Sequence, residues 1–216
     1  MGDLKTATPD VLAGNPPRIY IHLTIDKGLL PRFFKLLEKG FMLEAQTGCS
    51  IKELLCSQFA IPEVYLEERV QTIFLDANAV DDVNRAMVSN RSTLALSASM
   101  PGVAGAMLRK GGHYAAMRSQ ISFARSGSKS QAQKGRIILK LFNLVAKELG
   151  PKFLRDGIWL EGRNFEHFCL KHGIELQKHC RRAERDANTI AVSDLTKLDL
   201  SCKLINLRLS TEPAPL

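Results

Sequence analysis

The chain has 216 residues, of which 45% are hydrophobic and 24% are charged, enough for one sizeable core or two small ones. No run approaches the roughly 18 apolar residues of a membrane span, and the opening residues lack the layout of a signal peptide. We therefore predict a cytoplasmic protein with no membrane partner. The five cysteines form an odd set, which indicates reduced thiols rather than a disulfide framework.

The formal charge of +8 is unevenly distributed along the chain. Residues 83–147 contain no Asp or Glu but eleven Lys or Arg, so the remainder of the chain is slightly acidic. A local positive field of this kind attracts nucleic acid, anionic surfaces or acidic protein partners. The anion-binding or nucleic-acid-binding candidates within this acid-free stretch are Arg109, Lys110, Arg118, Arg125, Lys129, Lys134 and Arg136.

Hydrophobic patterns predict a β, helix, β, helix, β, β order after a flexible tail over residues 1–17. The predicted strands are residues 18–24, 41–45, 70–75 and 93–97, and the predicted helices begin near residues 29 and 51. In the first strand Ile19, Ile21 and Leu23 alternate with polar residues, which is typical of a half-buried strand. Ser50 and Glu53 have the spacing of a capping box, which opens the second helix.

The second half begins with a change of composition. Residues 118–135 are rich in Ser, Gly, Gln and basic side chains, which predicts a linker before a smaller α+β domain at 136–210 and a tail at 211–216. The pattern of the first half then partly recurs: residues 136–141 parallel 18–23, and 157–161 parallel 40–44. An internal duplication and a chance match of short patterns both explain this.

The first half resembles the small sulfur-carrier proteins of molybdopterin and thiamine biosynthesis. The resemblance rests on Gly48-Cys49-Ser50-Ile51-Lys52-Glu53-Leu54-Leu55, on residues 70–82 and on residues 92–106. Those carriers are β-grasp domains, so the resemblance implies a β-grasp domain at 18–117. It also implies a protein partner, an adenylating or cofactor-synthesis enzyme, and the second domain is then either a small α+β unit or a duplicated β-grasp.

The carriers act through a flexible tail that ends in two glycines. The corresponding segment here is Val103-Ala104-Gly105-Ala106, in which the second glycine is replaced and the chain continues. A second candidate tail, Leu108-Arg109-Lys110-Gly111-Gly112, resembles that of ubiquitin and would become a terminus only after proteolysis. The carrier-tail candidates are therefore Gly105, Gly111 and Gly112, and the alternative is a basic turn in which glycines supply positive φ.

A second set of residues has the chemistry of zinc ligands. Cys169, His172, His179 and Cys180 fall within a short interval, although their spacing matches no common zinc finger. The alternative is that they are ordinary core and surface residues. Residues 178–185, which are rich in Lys and Arg, are interpreted as a basic helix end that complements the helix dipole.

No recognisable nucleophile with its base, carboxylate pair or phosphate-binding loop occurs in the sequence, so we predict neither an enzyme nor a cofactor. The sequence predicts an α+β protein. Its first functional hypothesis is a non-enzymatic β-grasp interaction protein, related to sulfur carriers or degenerate, that docks on a larger partner enzyme. The alternative is a nucleic-acid-binding module that uses residues 83–147, and a third hypothesis is a metal-dependent enzyme around Cys169, His172 and His179.

Overall fold

A computed structural model describes residues 16–98 and 133–212 of the chain. In chain order, strands β1 to β12 are Arg18–Asp26, Phe41–Thr47, Cys49–Ser50, Thr72–Leu75, Asn78–Ala79, Met87–Val88, Thr93–Ser97, Gln133–Phe142, Ile158–Glu161, Cys180–Arg185, Asn188–Ile190 and Leu204–Glu212. Helices α1 to α5 are Leu30–Lys39, Glu63–Glu68, Asn143–Asp156, Gly162–Lys171 and Gly173–His179. A π-helix at Glu53–Gln58 and 3-10 turns at Lys27–Leu29 and Val192–Lys197 complete the set. Within these ranges no helix has the length and hydropathy needed to cross a bilayer.

Most of the predicted elements are present, and the protein is of the α+β class. Helix α1 carries Pro31 in its first turn and is followed by Gly40, whose φ is +114°. The Glu53 amide donates to Ser50 Oγ at 3.2 Å, as the predicted capping box requires, and the turn it opens continues as a π-helix. The prediction of a helix reaching Arg185 is wrong, because β10 begins at Cys180 and pairs with β1.

The described residues form two compact units, each containing its own sheet. Residues 16–29 and 159–212 form the terminal unit, and residues 30–98 and 133–158 form the central unit. These units divide the chain differently from the predicted domains. The first predicted strand, β1, pairs with β10 and β12 in the terminal unit, whereas β8 pairs with β2 and β7 in the central unit. The proposed linker lies outside the described residues except for 133–135, which belong to β8.

The sheet of the terminal unit has the strand order β11-β10-β1-β12-β9. Its centre is a parallel ladder in which β1 pairs with β12 over nine residues, from Arg18 with Leu204 to Asp26 with Glu212. The ladder between β1 and β10 is antiparallel and contains an irregularity, because Thr24 pairs with Arg182 but the next residue, Ile25, pairs with Cys180. Arg181 is therefore the extra residue of a β-bulge.

The sheet of the central unit has the order β5-β4-β7-β8-β2 and again has a parallel pair at its centre. Strands β7 and β8 are parallel, and β4 and β2 flank them antiparallel. Helices α1 and α3 pack on β8, and Phe153 of α3 contacts the rings of Phe41 and Phe59 at centroid distances of 5.5 and 5.9 Å. These aromatic contacts are part of the core of the unit.

The two units share a hairpin with the same three residues, Asp-Ala-Asn. In the central unit Asp76 and Ala77 form the two-residue loop between β4 and β5, with φ of 49° and 66°. In the terminal unit Asp186 and Ala187 join β10 and β11 with φ of 50° and 66°. Positive φ at both loop residues defines a type I′ turn, whose twist matches that of the flanking strands.

The aspartate of each hairpin is clipped to the neighbouring strand. The Thr93 amide donates to Asp76 Oδ1 at 2.7 Å, and the Asp76 amide donates to Thr93 O at 2.9 Å. In the terminal unit Tyr20 and Asp186 exchange the same two bonds, at 3.0 and 2.9 Å. Strand β1 thus occupies the ladder position that β7 has in the central unit, and not the position of β8 expected from the sequence parallel.

A close approach in the terminal unit gives a first testable prediction. A Cβ added to Gly162 would lie 1.8 Å from the backbone oxygen of Leu200, so Gly162→Ala requires the backbone to move. We expect a loss of more than about 2 kcal/mol in the free energy of unfolding, measured by urea denaturation. The control is Gly28→Ala, which meets nothing within 4 Å and should change stability by less than about 0.5 kcal/mol. Equal denaturation midpoints for the two variants would contradict this packing.

Candidate nucleic-acid interface

One face of the sheet in the terminal unit is polar, basic and aromatic. On β1 the even-numbered residues face away from the core, since the burial alternates with buried Ile19, Ile21 and Leu23. The parallel register places Asn206, Arg208 and Ser210 of β12 beside them, and the antiparallel register adds Arg182 and Glu184 of β10. This surface, termed the exposed face, consists of Arg18, Tyr20, His22, Trp159, Arg182, Glu184, Asn206, Arg208 and Ser210.

The opposite face of this sheet is apolar and holds the unit together. It carries Ile21 and Leu23 of β1 with Leu207 and Leu209 of β12, all of them at most 2% exposed. Helix α4 packs on β12 and helix α5 packs on β10. A mixed sheet with helices on one face keeps the other face available for solvent or for a ligand.

The exposed face carries more positive than negative charge. Arg18, Arg182 and Arg208 are exposed, and Arg182 forms an ion pair with Glu184, the one carboxylate of this face. The aromatic residues are Tyr20 and Trp159, whose ring centroids are 5.5 Å apart. Arginine side chains suit phosphate oxygens, and aromatic rings suit the faces of bases.

Three polar side chains on this face form a hydrogen-bonded series. His22 Nδ1 lies 3.1 Å from Glu184 Oε2, and His22 Nε2 lies 2.8 Å from Ser210 Oγ. A serine, histidine and acid series also occurs in acyl-transfer enzymes, where the serine lies on a sharp turn beside oxyanion donors. Ser210 instead lies within β12, opposite Thr24 in a regular ladder. We therefore assign the series a positioning role, which fixes the His22 ring on the face.

A buried carboxylate anchors the end of β1. Asp26 is only 4% exposed, and it accepts hydrogen bonds from Arg181 Nε at 2.8 Å and Arg181 Nη2 at 2.9 Å. His179 Nδ1 lies 3.1 Å from the same carboxylate. These hydrogen bonds, those of Arg181 foremost, hold the pKa of Asp26 below its usual range against the opposing effect of burial. The bulge residue of β10 thus locks β10 to β1.

The central unit contains a shallow cleft that includes two of the predicted anion-binding residues. The cleft has a volume of about 520 Å³ and is lined by Glu44, Ala45, Gln46, Gln58, Lys134, Gly135 and Arg136. The Gln58 side chain is fixed there, because it accepts from the Gln46 amide at 2.8 Å and donates to the Gln46 carbonyl at 2.9 Å. Glu44 pairs in register with Arg136, so the charge of this cleft is mixed.

The remaining predicted site residues fall into two groups. Gly105, Gly111, Gly112, Arg109, Lys110, Arg118, Arg125 and Lys129 lie outside the described residues. The metal-ligand candidates are described and have other contacts. His179 contacts Asp26, His172 lies against the Phe168 ring at 4.9 Å, and Cys180 Sγ donates to the Arg182 carbonyl. Over residues 16–98 and 133–212 no three His, Cys, Asp or Glu side chains are grouped to hold a metal ion.

The two buried thiols among those candidates are also poor ligands as they stand. Burial raises the pKa of Cys169 to about 12 and that of Cys180 to about 11. A zinc ligand must be a thiolate, so both thiols would have to lose a tightly held proton.

The chain matches no protein-family model, no curated protein and no solved structure. Its function is therefore inferred from the side chains of the two sheets. Sequence reasoning missed the exposed face, although the polar positions of the first predicted strand, among them Tyr20 and His22, were a signal for it. Trp159, Arg182 and Arg208 carried no such signal, since only strand pairing brings them beside β1.

The Asp26 network gives a prediction for the pH dependence of stability. Because the pKa of Asp26 is lower in the folded protein, its contribution is present above about pH 4 and is lost as the pH falls through the folded value. Asp26→Asn should lower the unfolding midpoint at pH 7, and its difference from the unmodified protein should shrink between about pH 5 and pH 2. Asp194→Asn, which removes an exposed ion pair with Lys197, is the control and should have little effect. A difference that stays constant with pH would contradict the network.

Proposed function

We propose that this protein is a non-enzymatic binding protein for nucleic acid and that the exposed face of the terminal unit is its binding surface. The observation that carries this proposal is the presence of Arg18, Arg182 and Arg208 with Tyr20 and Trp159 on one side of one sheet. Arginines neutralise phosphates and release counterions, which gives affinity with little dependence on base sequence.

The charge of the whole chain supports the same proposal. The formal charge of +8 and the acid-free stretch favour a polyanionic partner over a neutral one. Within that stretch Lys134, Arg136 and Lys140 lie on β8 of the central unit, at alternate positions of the strand. They are a second cationic surface, but they have Glu44 beside them and lack the aromatic pair of the terminal unit. The exposed face is therefore the stronger candidate.

The proposal predicts that arginine substitutions weaken binding and reduce its dependence on salt. The double variant Arg182→Gln with Arg208→Gln should bind a mixed-sequence oligonucleotide more weakly at low salt. The slope of log K against log salt should fall by about 1.4, since each lost contact to a single strand removes about 0.7. Fluorescence anisotropy over a series of salt concentrations measures both quantities.

The matched control removes the same charge from the helical side of the same unit. Lys171 and Lys178 are exposed residues of α4 and α5, so Lys171→Gln with Lys178→Gln should leave the salt slope nearly unchanged. The proposal fails if the unmodified protein binds no oligonucleotide at low salt. It also fails for this face if both double variants behave alike.

We also propose that both units are β-grasp domains that arose by duplication, with the central unit serving as a docking module for a protein partner. The support is the parallel central pair in each sheet, β7 with β8 and β1 with β12, and the identical aspartate clip. By resemblance to the sulfur carriers, the partner would be an adenylating or cofactor-synthesis enzyme. The segment proposed to dock, residues 100–112, lies outside the described residues.

The docking proposal differs from carrier chemistry in one measurable outcome. The second glycine of the carrier tail is replaced by Ala106, so we expect no processed carrier in the cell. Mass spectrometry of the protein isolated from its native host should find no species that ends at Gly112. Such a species, heavier by the difference between sulfur and oxygen, would show that the protein is a processed sulfur carrier.

A further inference from the structure

Tyr20 is a large aromatic side chain that remains half exposed at the centre of a sheet. Its exposed fraction is 52%, although it lies on a strand that is paired on both sides. The Trp159 ring contacts it edge to face, with an interplanar angle of 67°. The guanidinium carbon of Arg18 lies 5.1 Å from the centroid of the Trp159 ring. Two aromatic rings and a guanidinium plane thus form one cluster, termed the stacking cluster.

The backbone beneath Tyr20 is fixed from two directions. Its amide donates to Asp186 Oδ1 at 3.0 Å and its carbonyl accepts from the Asp186 amide at 2.9 Å, while β12 pairs with the other edge of β1. A ring carried on a fixed backbone and held by a neighbouring ring loses little conformational freedom when a ligand covers it. The stacking cluster is therefore prepared for a flat ligand before that ligand arrives.

We propose that Tyr20 stacks on an unpaired base, so that the nucleic acid bound by this protein is single-stranded. This inference rests on the proposed function. The base faces of a duplex are covered by neighbouring base pairs, whereas the bases of a single strand are free to stack on aromatic side chains and on guanidinium planes. Phosphates of the same strand then lie over Arg182 and Arg208 on the two strands that flank β1.

The polar residues around Tyr20 favour a nucleic acid over an acidic peptide. Asn206 pairs in register with Tyr20, and the His22 ring follows two residues along β1. An amide has both donors and an acceptor, so Asn206 suits the mixed edge of a base, whereas a carboxylate offers acceptors only. Glu184, which contacts His22, would repel a carboxylate at this position. An acidic peptide nevertheless serves as a competitor in the test.

The single tryptophan of the chain provides a direct probe, because Trp159 belongs to the stacking cluster. We expect a mixed-sequence single strand to quench the intrinsic fluorescence of the full chain, and a duplex of the same sequence to bind at least 10-fold more weakly with little quenching. Tyr20→Leu should weaken binding of the single strand by roughly 10-fold, the scale of one lost stacking contact. Tyr20→Phe keeps the ring and should bind within about threefold of the unmodified protein.

The outcomes separate this inference from the function on which it rests. Salt-dependent binding that is equal for single strand and duplex, and equal for Tyr20→Leu and Tyr20→Phe, would leave phosphate binding intact and overturn the stacking inference. A poly-glutamate peptide that displaces the oligonucleotide at equal charge concentration would also overturn it. No binding of any oligonucleotide would overturn both. Thermal unfolding of each variant checks that the exposed substitution has left the fold unchanged.

Discussion

The parallel pairing of β1 with β12 is the interaction on which the rest of the terminal unit depends. It joins a strand near the beginning of the described chain to one near its end over nine residue pairs. A parallel pair has no hairpin to define it, so its register must come from burial and from the neighbouring strands. Alternation on both strands buries one face completely, and the bulge at Arg181 with its bonds to Asp26 fixes the end of the ladder. The face that remains carries every residue to which we assign function.

Local patterns in the sequence were enough to predict most strands and helices, but not the sheets they form. Alternation identified β1, yet nothing local indicates that it pairs with β10 and β12 rather than with β7. The error at residues 178–185 has the same origin: a run rich in Lys and Arg suits a helix end, and pairing with β1 makes it a strand instead. The repeated tripeptide Asp-Ala-Asn at 76–78 and 186–188 was a readable signal of the shared hairpin.

The site was less predictable than the fold because it is spread over four strands. The predicted cations cluster within residues 83–147, whereas the exposed face takes single residues from distant parts of the chain. The equivalence of the two hairpins clarifies which property is special. Thr93 holds in the central unit the position that Tyr20 holds in the terminal unit, with the same bonds to an aspartate. The backbone arrangement thus permits an aromatic residue there without requiring one, which makes Tyr20 a feature of this unit and of its proposed ligand.

The central claim is that a nucleic acid lies on the exposed face. Photo-cross-linking of the full chain to a single-stranded oligonucleotide carrying 4-thiouridine, followed by mass spectrometry of the cross-linked peptides, tests it most directly. The account predicts cross-links within residues 18–26, 158–161 and 204–212. Cross-links confined to residues 83–147, or none at all, would contradict it.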